Sequence, residues 1–147
     1  MIDEIFYKTI ENKTFGIYKQ KAFSHSYRVS ALAQYLSSAY KLDSELCKIM
    51  GLYHDIAQYV NHNSFNHAKL SSDMCRVLLE GHISNEDLDI ICHAIKNHSD
   101  KHVIHDIYSE LLKDADILAS YYESKDNVIK DEHYQRIQKY IEKRDEE

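Results

Sequence analysis

The chain has 147 residues, 44% hydrophobic and 29% charged, a length and balance that fit one folded domain with its own core. A formal net charge of −6 argues against nucleic-acid duplex as a partner, but it leaves room for a small anion brought to a metal ion, which inverts the local charge. No run of ~18 apolar residues could span a membrane, the N-terminal MIDEIFYKTIENK is unlike a signal peptide, and three scattered cysteines (Cys47, Cys75, Cys92) point to a reducing, cytoplasmic setting.

Proline is absent and glycine occurs only at positions 16, 51 and 81, so the chain lacks the turn residues of an all-β fold and is expected to be all-α. A terminal helix precedes the first strongly periodic segment. That segment starts from Ser24 as N-cap and carries Val29, Leu32, Ala33 and Leu36 at helical spacing. Asp43 or Ser44 caps a second helix running through Leu46, Met50, Tyr53, Ile56 and Val60 to the Asn61-His62-Asn63 cluster. Ser64 opens a third, with Leu70, Met74, Val77 and Leu78, that stops at Gly81. Ser84, followed by Asp87, caps a fourth bearing Leu88, Ile91 and Ile95. A fifth spans about His105 to Tyr122, and the charged KDEHYQRIQKYIEKRDEE forms the last. Nothing marks a domain boundary, so residues 1–147 are expected to form one bundle of six to seven helices, its core at about 22–122.

Ten histidines raise the question of a metal. The dipeptide His54-Asp55 decides nothing by itself, because His105-Asp106 repeats it. Position on the helices is more telling. His25 shares a stripe with Val29 and Leu32 at a helix start, and His54 follows Met50 near a helix end. His67 shares a stripe with Leu70 and Met74 at a start, and His98 follows Ile95 at an end. Consecutive helices on short connections run antiparallel, so all four histidines should gather at one end of the bundle. Cys47, Gly51 and Gln58, beside His54 and Asp55 on the second helix, are small or polar and would leave room for an ion and substrate. His105-Asp106 lies in the polar SDKHVIHD and reads as helix capping and surface chemistry. Imidazoles with carboxylates suit a divalent ion such as Mn, Fe, Co, Ni, Mg or Zn with open positions for water. The periodicity leaves Asp114 and Asp116 equally placed as further ligands, both at edges of their stripe.

The pattern His25…His54-Asp55…Asp116 resembles the HD superfamily of metal-dependent phosphohydrolases, as do HSYRVSALA, GLYHDIA, HAKLSSDM, AIKNHS and ELLKDADILAS, which together cover most of residues 24–120. The family's Ala-Asp-x-Leu motif implies Asp116 as the ligand. The resemblance implies one ion held by His25, His54, Asp55 and Asp116, and a small phosphorylated substrate, a nucleotide, as partner. His67 and His98 would bind a second ion or else substrate phosphate; the DAD-containing stretch favours the one-ion branch. Many relatives carry Lys where this chain has Gln58. Arg28, Lys69, Lys96 and Lys101 are candidate replacements for phosphate binding, each with the competing reading of a solvated surface cation. Gln58 and Asp114 would then hydrogen-bond to ligands or cap backbone rather than touch the ion. Competing functions are a diadenosine tetraphosphate-type di-metal hydrolase, a non-catalytic metal-stabilised nucleotide-binding module, and a di-iron HD-type oxygenase.

Overall fold

The computed structural model describes residues 1–123 and 131–145, with Asp131 and residues 142–145 described by backbone alone. Eight helices follow in order: α1 (Ile2–Lys13), α2 (Gly16–Tyr40), α3 (Ser44–Tyr53), α4 (Ile56–Asn61), α5 (His67–Leu79), α6 (Asn85–Asn97), α7 (Ile107–Glu123) and α8 (Asp131–Asp145). The described residues form no sheet, only an isolated bridge between Glu80 and Ile83. No described helix is long and apolar enough to cross a membrane. The all-α expectation holds. The expected terminal helix appears as α8; Lys130 and the last two residues of its stretch lie outside the described residues.

Two expected boundaries are corrected. α2 starts at Gly16, with Phe15 rather than Ser24 as its N-cap, so His25 stands within the helix and not at its start. The apolar pattern conceals this because the buried face of α2 is built largely from small residues, Ala22, Ser26, Ser30, Ala33 and Ser37. Those residues let α3 approach closely. A Cβ added to Gly51 would lie 2.8 Å from Ser30 Cα and 2.9 Å from Val29 O, so only glycine fits. Gly51 therefore serves helix packing rather than leaving space for an ion.

The expected second helix is two helices, broken at the His54-Asp55 doublet. His54 is the C-cap of α3, and Asp55 (φ −118, ψ 15) is the N-cap of α4. An N-cap aspartate ordinarily accepts from the first backbone N–H groups of its helix. Here the hydroxyl of Ser71 accepts from Ala57 N at 3.0 Å instead, and Asp55 makes no side-chain cap bond. Its carboxylate is thereby released for other partners.

α5 buries Ala68, Ser71, Ser72, Cys75 and Leu79, a face turned from the expected stripe, and Val77 is exposed. The Ser71 and Ser72 hydroxyls explain the rotation: one serves Ala57 N, and the other donates to Cys92 O at 2.7 Å. The caps at Asp43 and Ser84 form as expected. α7 is buried on nearly every side, from Ser109 and Leu111 to Leu118 and Ala119. A helix wrapped in this way has no polar face to orient it, which is why its pattern left Asp114 and Asp116 undecided.

Candidate metal centre

Three places in the fold bring His25, His54, Asp55 and Asp116 together: the middle of α2, the α3–α4 break, and α7. His54 Nε2 lies 3.0 Å from Asp55 Oδ2 and 3.3 Å from Asp116 Oδ1. His25 Nε2 lies 3.2 Å from Asp116 Oδ1 and 3.6 Å from Asp55 Oδ2. Ligands 90° apart around one ion at ~2.1–2.4 Å stand roughly 3.0–3.4 Å from each other. The spacing therefore suits edges of a shared coordination shell.

Asp55 faces a second group as well. Its Oδ1 lies 3.1 Å from His98 Nε2 and 3.4 Å from His67 Nε2. His67 is the first residue of α5 and His98 the C-cap of α6, so both stand at helix ends as expected. The His25 ring is centred 5.1 Å from His54, His54 5.0 Å from His98, and His98 5.3 Å from His67. The anticipated gathering of four histidines is real, although His25 reaches it from within a helix.

All four rings are held the same way. Nδ1–H of His54 donates to Gly51 O at 2.7 Å, that of His98 to Ile95 O at 2.6 Å, and that of His67 to Ser64 O at 3.0 Å. Nδ1–H of His25 donates to Glu123 Oε1 at 2.7 Å. Such bonds fix the tautomer and turn the Nε2 lone pair toward the carboxylates. Lone pair facing carboxylate at 3.0–3.6 Å is repulsive unless a cation or a proton lies between. His54 Nε2 is fully buried and has no hydrogen-bond partner among the described residues. The donor set and this orphaned nitrogen fit a divalent metal ion.

The titration behaviour has the same origin. Burial lowers the His25 pKa, but the carboxylates of Asp116, Asp55 and Glu123 outweigh it and raise the value to about 12. His54, against the same burial, is raised to about 9 by Asp55 and Asp116. Burial works against ionised Asp55 and Asp116 too, yet His54 and His25 hold Asp55 well below the usual range, and Lys101 with the two histidines does the same for Asp116. His98 is lowered, because burial exceeds the pull of Asp55. With no ion bound, protons on His25 and His54 are the cations of the first group.

The other expected residues divide. Lys101 is drawn in, its Nζ 2.9 Å from Asp116 Oδ2. Arg28 and Gln58 line a cleft of about 580 Å³ that has His25 and Asp55 in its floor. Lys69 is exposed and pairs with Asp73 at 3.2 Å, and Lys96 is exposed, so neither is brought to the histidines. Asp114 faces away from the ligand group: it accepts from Arg136 and Tyr140, each at 2.8 Å. Asp106 accepts from the hydroxyl and backbone N–H of Ser109, the capping role expected of the second doublet. Two charged residues in the site have no counterpart among the residues expected from the sequence. Glu123 stands seven residues, two turns, after Asp116 on α7, and Lys21 stands one turn before His25 on α2 and also lines the cleft.

The HD domain model matches residues 22–121. Ribonuclease Y of Rhodopirellula baltica is 31% identical over 100 residues, which is 67% of this chain but only 18% of that protein. No solved structure matches. A buried His/Asp metal-binding group on an all-helical scaffold is the arrangement of catalytic HD hydrolases, and with the family match over two thirds of its length the chain belongs to the HD domain family.

Proposed function

We propose that the protein hydrolyses a phosphoester or phosphoanhydride of a nucleotide, using two divalent ions that share Asp55. His25, His54 and Asp116 complete the first ion's ligands, and His67 and His98 those of the second. The observation that carries this reading is the division of the Asp55 carboxylate, with Oδ2 toward His54 and His25 and Oδ1 toward His98 and His67. The one-ion alternative needs His98 to donate a hydrogen bond to phosphate. That role suits it poorly, because its Nδ1 proton is committed to Ile95 O and burial disfavours a second proton on Nε2.

Bound ions would supply Lewis-acid polarisation of a phosphoryl oxygen and acidify a water. The chain's own groups do the positioning. Nδ1 bonds to Gly51, Ile95, Ser64 and Glu123 hold the imidazoles in the ligating tautomer. Lys101, 13% exposed beside Asp116, supplies a cation near the reacting phosphate that Gln58 cannot. The likeness to a ribonuclease supports a phosphodiester among the bonds cleaved.

Turnover on a nucleotide panel tests the reading, with metal-free protein reloaded with Mn, Fe, Co, Ni or Mg. Metal-dependent release of phosphate or nucleotide, abolished by chelator, is expected. Saturable nucleotide binding with no turnover by the loaded protein would instead indicate the non-catalytic binding module.

A further inference from the structure

Resting on that hydrolase reading, we infer that the scissile phosphate is an internal one, with anionic groups on both sides held by Lys21 and Arg28. Lys21 precedes His25 by four residues and Arg28 follows it by three, so they lie about 6 Å and about 4.5 Å along the α2 axis in opposite directions. Seven residues is nearly two full turns, which puts Lys21 and Arg28 in line on one face with His25 between them. Both side chains line the 580 Å³ cleft that exposes His25 and Asp55. Neither is in an ion pair with a carboxylate among the described residues, unlike Lys101, which is held by Asp116. Of the two carboxylates in the same cleft, Asp55 faces the histidines and Glu123 is engaged by His25 Nδ1–H.

A terminal phosphate at the ions would need cationic support on one side only. A cation on each side matches a phosphate chain that passes through the centre and continues in both directions. A dinucleoside oligophosphate and a short oligonucleotide have that chemistry over a longer chain than a nucleoside triphosphate, which has it at its β-phosphate alone.

The experiment compares Mn-loaded wild type with Lys21→Gln and Arg28→Gln, each checked for helicity and metal content. Substrates are diadenosine tetraphosphate, a trithymidylate phosphorylated at both ends, ADP, in which no phosphate has anionic groups on both sides, and bis(p-nitrophenyl) phosphate, a diester without flanking charge. The inference expects at least one of the first two to be preferred to ADP. It also expects each substitution to lower the kcat/KM of that substrate, relative to bis(p-nitrophenyl) phosphate, by about ten-fold or more, chiefly through KM. Which of the two is cleaved identifies the source of the phosphate chain. A preference for ADP, or a ratio unmoved in either variant, overturns the inference while leaving the hydrolase reading intact. Arg28→Lys should restore part of the ratio lost in Arg28→Gln, and no recovery would also count against it. Failure to turn over any substrate, bis(p-nitrophenyl) phosphate included, would overturn the hydrolase reading itself.

Discussion

Asp114 and Asp116 stand two residues apart on α7, both deeply placed, in surroundings that differ in one respect. Around Asp114 the protein brings its own donors. Arg136 bridges Asp114 and Glu110, Tyr140 donates to Asp114, and Tyr40 contacts Tyr140 at 2.6 Å. Next to it, buried Lys113 joins Glu110, Val103 O and His105. Around Asp116 the fixed cation is Lys101, and the remaining neighbours are histidines whose Nδ1 protons are spent elsewhere. One carboxylate belongs to a network complete within the chain. The other belongs to a group that requires a cation from outside. Both side chains are largely removed from solvent, Asp114 at 3% and Asp116 at 17% exposure, and the accounting of donors separates a structural acid from a ligand.

Substituting one acid at a time should separate the regions most widely. Asp116→Asn is expected to lose its bound metal and to cut turnover by roughly three orders of magnitude, because the ions' contribution of several kcal/mol goes with it. Asp114→Ala should keep its metal and instead lose ~1–3 kcal/mol of stability, since Arg136 and Tyr140 are left with a missing acceptor. Elemental analysis and thermal melts on both variants check this. Loss of metal from Asp114→Ala as well would dissolve the distinction.

Gly51→Ala probes how the ligand group is assembled. The added Cβ meets backbone atoms of α2, which cannot rotate away. A cost of ~1–3 kcal/mol is expected, with weakened metal binding as α2 and α3 separate and carry His25 from His54. Unchanged metal affinity despite the lost stability would show that the group tolerates their separation.

Glu123→Gln removes charge from the group that orients His25. Metal affinity is expected to fall ~10–100-fold, while the melting temperature of metal-free protein changes little, as Glu123 is 28% exposed. Titration of the variant with Mn(II), beside a melt of its metal-free form, reads both quantities. An equal drop in metal-free stability would make Glu123 a structural residue.

The smallest expected effect is one of pH. In metal-free protein His54 is raised from 6.5 to about 9, so its contribution to stability is complete below about pH 6.5 and is lost as pH rises toward 9. With excess Mn(II) that loss is offset over the same window, since binding the ion releases those protons and grows stronger as pH rises. Melts across pH 6.5–9 with chelator and with metal should therefore diverge. Parallel curves would mean that protons and ions do not compete for the same nitrogens.

The sequence carried most of the outline. Helix caps at Asp43 and Ser84 were readable because a side chain of the right kind precedes an apolar run. The gathering of His25, His54, His67 and His98 was readable because three of them stand at helix ends. What escaped depends on partners distant in sequence. The break at His54-Asp55 is supported by Ser71 from α5, and nothing near the doublet announces it. The start of α2 was hidden by a buried face of serines and alanines, among which Ser30 packs against Gly51, twenty-one residues beyond it. Asp114 could be told from Asp116 only through Arg136 and Tyr140 of α8 or through a family motif. Local periodicity reports which side of a helix is buried, not what it is buried against.

The central claim is that the Nε2 lone pairs and the carboxylates of Asp55 and Asp116 are held together by ions. Calorimetric titration of Mn(II) into chelator-treated protein, repeated in buffers of different ionisation enthalpy, tests it most directly. The account predicts saturable binding of two ions per chain with protons released from the histidines. Absence of saturable binding would contradict it, as would binding without proton release.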